Sequence, residues 1–194
     1  MSLSEVAPGL RRWTAWHDEW QDDVGCLAVD TDDGLVLIDP LDPPRELQRP
    51  EHVLITVHWH ARSAKAPHVW AHERATRLLA NRGVKLTDPF GLEDALPGGI
   101  RAFGTPRPGE VVYWLPRHRA LVVGDVLLGA GAKPRATDDP LRLCPERWLG
   151  TATHADLRAS LAPALELHVS RVLVSHGEPV LRGGRRALAE ALAG

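Results

Sequence analysis

Four short apolar runs along this chain share one design. Leu35–Pro40 reads LVLIDP, Val53–His60 reads VLITVHWH, Ala120–Val126 reads ALVVGDV and Arg171–Glu178 reads RVLVSHGE. Each opens as a near-continuous stretch of branched apolar residues, without the alternation of a half-exposed strand. That pattern predicts strands buried on both faces. Each run then ends in a residue able to ligate or titrate: Asp39, the pair His58 and His60, Asp125, and His176 beside Ser175. Sites in α/β sheets collect at the carboxyl ends of strands, where loops converge on a rigid frame. The repetition therefore directs all four endings to one edge.

Between and around these runs the apolar period lengthens to that of helices. THADLRASLAPALELH places Leu157, Leu161 and Leu165 at four-residue steps. Thr153 and Asp156 are spaced as a capping pair, and Pro163 is placed to kink or end the helix. HERATRLLANRG puts Ala75, Leu78 and Leu79 on one face, with Gly83 as its stop. GGRRALAEALAG predicts a closing amphipathic helix, and EVVYWLPRHRALVV a hairpin turning at Pro116–His118. RRWTAWHDEW and GCLAVD predict strands of a first sheet, with Trp13, Trp16 and Trp20 as packing groups. Trp59 would point away from both neighbouring histidines in an extended segment. His68, His72 and His118 are expected at the surface, and His168 packed on the apolar side of its helix. The turn-forming stretch 129–140 predicts a mobile loop. No repeat or linker divides the chain, so one domain over residues 1–194 is expected.

Composition narrows the partners. The chain has 194 residues and a formal net charge of −2, so no basic excess exists to neutralise phosphates, and nucleic acid is excluded as the main partner. No run approaches the roughly 20 apolar residues of a membrane span. Cys26 and Cys144 lie too far apart for a metal-binding spacing, and Cys26, in an apolar run, reads as a small buried hydrophobe. Two thiols and a start without signal-peptide character lead to the expectation of a cytoplasmic protein. The oligomeric state has no signal in the sequence.

The order of these features resembles the metallo-β-lactamase superfamily, from about Leu27 to the last helix. The resemblance implies a four-layer αββα sandwich and a hydrolytic site built on metal-activated water. His58 and His60 match the first two histidines of the family's H-x-H-x-D-H motif. Asp125 matches its bridging aspartate, and His176 its last histidine. Three departures stand beside these matches. Arg62 occupies the motif's aspartate position, Ser63 its final histidine, and in GTPRPGE Pro106 or a neighbour stands where a third histidine belongs. The resemblance thus implies a degenerate site with His58, His60, Asp125 and His176 as candidate metal residues.

Chemistry limits what this remnant holds. Two histidines and a carboxylate suffice for one zinc, iron or manganese ion with an open position for water. A second ion meets Arg62: a unit-charge pair at ~4 Å is worth about 4 kcal/mol at an effective dielectric near 20, and a divalent ion roughly doubles it. Beside a full two-metal enzyme, which the missing ligands disfavour, two readings stay open. In one, the protein is a mononuclear hydrolase for a small, anionic substrate. Asp125 and His176 then serve the chemistry, and Arg62 holds a carboxylate or an oxyanion. In the other it is a metal-free, catalytically inactive binding or regulatory module in which Arg62 replaces the metal and pairs with Asp125. β-Lactams, thioesters, lactones and phosphodiesters all remain open as substrates. Ser63 reads as a polar filler and Asp39 as a support for neighbouring loops.

Overall fold

The computed structural model describes residues 3–194; residues 1 and 2, where the stretch read for a leader begins, lie outside them. Strands β1 (Ser4–Ala7), β2 (Leu10–His17), β3 (Asp22–Thr31), β4 (Gly34–Ile38), β5 (His52–Leu54), β6 (His68–His72) and β7 (Asp88–Phe90) lie side by side in chain order in one sheet. The first four run antiparallel, and pairing becomes parallel from β4 onward. A second sheet is built from β8 (Arg101–Gly104), β9 (Val111–Leu115), β10 (Ala120–Val123) and, after the short ribbon of β11 (Leu127–Gly129) and β12 (Leu141–Leu143), from β13 (Arg171–Val174). Its order is β13-β10-β9-β8, with β10 and β13 parallel.

Three apolar layers hold the sheets and helices together. Leu27, Ile38, Leu54, Tyr113, Val122 and Leu173 fill the space between the two sheets. Trp13, Cys26, Leu37, Val53 and Leu79 cover the outer face of the first sheet beneath helix α1 (Thr76–Asn81). Leu121, Val123 and Val172 meet Leu157 and Leu161 of α2 (His154–Leu161) and Leu188 of α3 (Gly184–Ala193) on the far side. The result is the expected αββα sandwich. Each fully buried Leu, Val or Ile contributes about 1.5–3 kcal/mol, whereas an exposed pair such as Arg186–Glu190 is worth about 0–1 kcal/mol. Burial, not surface charge, therefore sets the frame. Among the described residues no helix is long and apolar enough to cross a membrane.

Local signals translated unevenly. Thr153 and Asp156 form the reciprocal capping box, and helix α2 gives way to a 3₁₀ turn over Ala162–Glu166 that contains Pro163. The Pro116–His118 turn joins β9 to β10. Trp13 packs in the core and Trp20 packs at its edge with 39% exposure, while Trp16 is half exposed. Several histidine positions differ from expectation. His72 and His118 are buried and His168 is exposed: His72 ends β6, an inner strand of its sheet, while His168 lies past the end of its helix. Val53–His60 is not one strand: β5 stops at Leu54 and a 3₁₀ turn covers His58–His60.

Candidate metal centre

Strand β4 ends at Ile38, and Asp39 turns the chain with φ at 49°, a left-handed conformation that Asp tolerates because its short side chain bonds locally. The turn aims its buried carboxylate at β5's continuation. It accepts the Thr56 N–H at 2.8 Å and the Thr56 hydroxyl. It also accepts the His60 Nδ1–H at 2.8 Å. Gly124 brings β10 up beside the same residue: a Cβ there would come within 2.6 Å of Thr56 Oγ1. This close approach delivers Asp125. From β13, Ser175 and His176 arrive, and Gly177 turns away at φ 81°.

These endings converge. His60 Nε2 lies 3.0 Å from Asp125 Oδ1, and His176 Nε2 lies 3.2 Å from the same oxygen. All three residues are buried, and one donor atom from each falls within 4.8 Å of the others. His58 is not with them. In an extended chain residues two apart share a face, but the 3₁₀ turn has about three residues per turn and rotates His58 roughly 120° from His60. The His58 ring instead packs edge-on against Trp59 at 4.5 Å. The structure thus gathers three of the four residues expected at the metal.

Arg62 also departs from expectation. The groups paired with Asp125 are His60 and His176, not Arg62. The Arg62 Nε and Nη1 atoms are buried without a hydrogen-bond partner. With Ser63 and Lys65, Arg62 lines a cavity of about 390 Å³ that Leu37, Pro43, Gln48 and Pro50 complete. The Ser63 hydroxyl accepts the Asp42 N–H, in keeping with a filler.

Sequence reasoning missed three participants. Trp59, read as pointing away, donates its indole N–H to Asp125 Oδ2 at 2.7 Å. The Arg107 guanidinium lies over the Trp59 ring, 4.9 Å from its centroid, and 2.9 Å from the buried Glu110 carboxylate. Glu110 in turn accepts the backbone N–H of Asp125 at 3.2 Å. The loop that lost its expected histidine thus supplies an ion pair that props Asp125. The available signal was two opposite charges, Arg107 and Glu110, in the turn leading into a fully apolar strand. Trp20, from the turn between β2 and β3, packs against the His176 ring at 5.4 Å and against Trp148 at 5.6 Å.

The electrostatics follow from this geometry. Burial works against a charged His60, but the carboxylates of Asp125 and Asp39 outweigh it and raise its pKa to about 9. Burial likewise opposes a charged Asp125, yet His60 and His176 hold its carboxyl well below the usual range. Burial pushes Glu110 up to about 7, with Arg107 pulling down and Asp125 adding to the rise.

Whether these residues fit a metal is tested by their orphaned atoms. Asp125 Oδ1 and His176 Nε2 are buried without a hydrogen bond. Their approach is close enough for an ion pair but wrongly directed for an N–H···O bond, as expected of donors aimed at a common point. Asp39 holds one proton on His60 Nδ1, so that loss of the other makes Nε2 the ligating atom, and a carboxylate behind the histidine is the usual support of a ligating imidazole. Two imidazoles and one carboxylate oxygen match the three-ligand sets of catalytic sites. The residues fit one ion. The other Asp125 oxygen, Oδ2, is bonded to Trp59.

No protein-family model matches the chain, and no curated protein matches it in sequence. Solved structures do. A metallo-β-lactamase from Erythrobacter litoralis, with β-mercaptoethanol in its active site, superposes with a TM-score of 0.70 at 17% identity, covering 98% of this chain and 94% of that one. The mono-zinc form of the metallo-β-lactamase FIM-1 from Pseudomonas aeruginosa gives 0.69 at 14% identity, with 99% and 92% covered. A metallo-β-lactamase from Pontibacter korlensis gives 0.68 at 17%, with 99% and 98% covered. The chain has the metallo-β-lactamase fold.

Proposed function

We propose that the protein is a hydrolase-like enzyme with a single metal, held by His60 Nε2, Asp125 Oδ1 and His176 Nε2. The observation that carries this reading is the convergence of these three buried donors with Asp39 pinning the far nitrogen of His60. The donor set suits zinc first and tolerates iron or manganese. A bound ion supplies Lewis acidity and lowers the pKa of its water to about 7. The chain's own residues do the rest. Asp39 fixes the tautomer and direction of His60, and Trp20 shields one side of His176 from solvent. Arg62 holds an anionic group of a small substrate. It lines a cavity with Lys65 in which no acidic residue stands to neutralise the two cations. The neighbours of the same fold are described as metallo-β-lactamases, one of them in a mono-zinc form, which supports hydrolysis as the reaction class.

One observation favours a second reading, a metal-free binding or regulatory module. His60 sits between Asp39 and Asp125 with its pKa at about 9, so the imidazolium itself compensates both carboxylates. In this reading His60, not Arg62, replaces the metal. A single experiment separates the two. Protein stripped with a chelator is reloaded with one equivalent of zinc and assayed against a β-lactam, a thioester, a lactone and a phosphodiester. The enzyme reading expects hydrolysis of one class only after reloading, lost in His176→Ala and retained in His58→Ala. No zinc-dependent turnover of any class, together with no zinc bound, establishes the module instead.

A further inference from the structure

Asp125 is held at both of its oxygens and at its backbone, by groups that reach it from three directions. Oδ1 faces His60 Nε2 and His176 Nε2. Oδ2 accepts the Trp59 indole N–H at 2.7 Å, and the backbone N–H donates to Glu110 Oε1 at 3.2 Å. Arg107 ties the last two together, lying over the Trp59 ring and against the Glu110 carboxylate. A carboxylate free at both oxygens can chelate one ion or bridge two. Here the indole occupies one oxygen, and the ring is pinned by a cation at its face, a contact that gains strength where water is excluded.

We propose that Trp59 is a positioning residue that makes Asp125 a one-oxygen ligand, with Arg107 and Glu110 locking it there. It thereby sets both the affinity and the one-ion capacity of the centre. The inference rests on the single-metal reading above. It explains why the residue between His58 and His60 is an aromatic donor and why the turn at 105–110 carries a buried ion pair. It also accounts for the missing third histidine without calling on a substitute ligand: the loop supports Asp125 from behind.

The test uses cobalt as the probe and the full chain stripped of metal. The wild type is expected to bind one equivalent of Co²⁺ with a single visible d–d spectrum. Trp59→Phe keeps an aromatic face for Arg107 and removes the N–H. It is expected to bind the first ion about tenfold or more weakly, the scale typical for loss of a group that supports a ligand, and to change the d–d bands. Arg107→Gln should move both in the same direction by less. A measurement on the unaltered protein guards against a variant that fails to fold. In ¹⁵N-tryptophan-labelled wild type, a solvent-protected indole resonance should shift with the first equivalent of Zn²⁺. Unchanged affinity and spectrum in Trp59→Phe, with cobalt bound by the wild type, overturn the positioning role alone. So does a zinc titration that moves no protected indole signal. A wild type that binds no cobalt overturns the single-metal reading and this role with it.

Discussion

Asp39→Asn isolates the part of the centre that this account makes responsible for His60. Asparagine is nearly the same shape and tolerates the same left-handed backbone at φ 49°, so the substitution changes charge and hydrogen-bond polarity with little strain. The native carboxylate accepts three bonds, from Thr56 N, the Thr56 hydroxyl and His60 Nδ1. The amide oxygen in place of Oδ1 keeps the Thr56 N–H, but the NH₂ in place of Oδ2 then faces both the Thr56 hydroxyl and His60 Nδ1. His60 must turn its proton to Nε2, the atom that points at Asp125. Bonds to a charged partner are each worth about 1.5–3 kcal/mol, and one such bond is lost while the others lose their charge. The expected destabilisation is about 2–4 kcal/mol, measured as a shift in urea midpoint with unchanged slope in the presence of EDTA. Zinc affinity, measured by competition with a chromogenic chelator, should fall roughly 10–100-fold. A variant that loses stability but binds zinc as tightly as the wild type would refute the argument that Asp39 selects the ligating tautomer.

Other consequences can be measured on the same footing. Arg62→Met should leave stability unchanged or raise it by about 1 kcal/mol, because Nε and Nη1 have no partner to lose; a large loss in thermal denaturation would show that the arginine makes bonds within the fold. Cys26 and Cys144 are buried, and burial pushes both thiols up to about 12, so neither should react with Ellman's reagent at pH 8 until the chain is unfolded, when two thiols per chain should appear. Thr153→Ala removes the capping box of α2 and should cost about 0.5–2 kcal/mol in chemical denaturation.

The frame of the site was legible because it is written in local patterns. Buried apolar runs gave the strand ends at Ile38, Val123 and Val174 that carry Asp39, Asp125 and His176 to one edge. His60 followed from its place after β5. His58 did not, because the sequence HWH carries no sign that the chain leaves the extended form; the 3₁₀ turn that separates the two histidines is set by packing. The same turn explains Trp59, whose direction was read from a strand that had already ended. Arg107 and Glu110 act through contacts that span the fold, from a loop to the Trp59 ring and to the end of β10, and such pairings have no period to read. Asp39 was recognised as a support, but its bond to His60 depends on a left-handed turn visible only in three dimensions.

The single-metal reading puts one ion between His60, Asp125 and His176. The most direct test is the metal content of protein purified without a chelating tag and dialysed against buffered zinc, read by mass spectrometry alongside X-ray absorption at the zinc edge. One ion per chain is expected, with two imidazole nitrogens at about 2.0–2.1 Å and one carboxylate oxygen at about 2.0–2.2 Å, and loss of that ion in Asp125→Asn. Two ions per chain, or none in excess zinc, would contradict it.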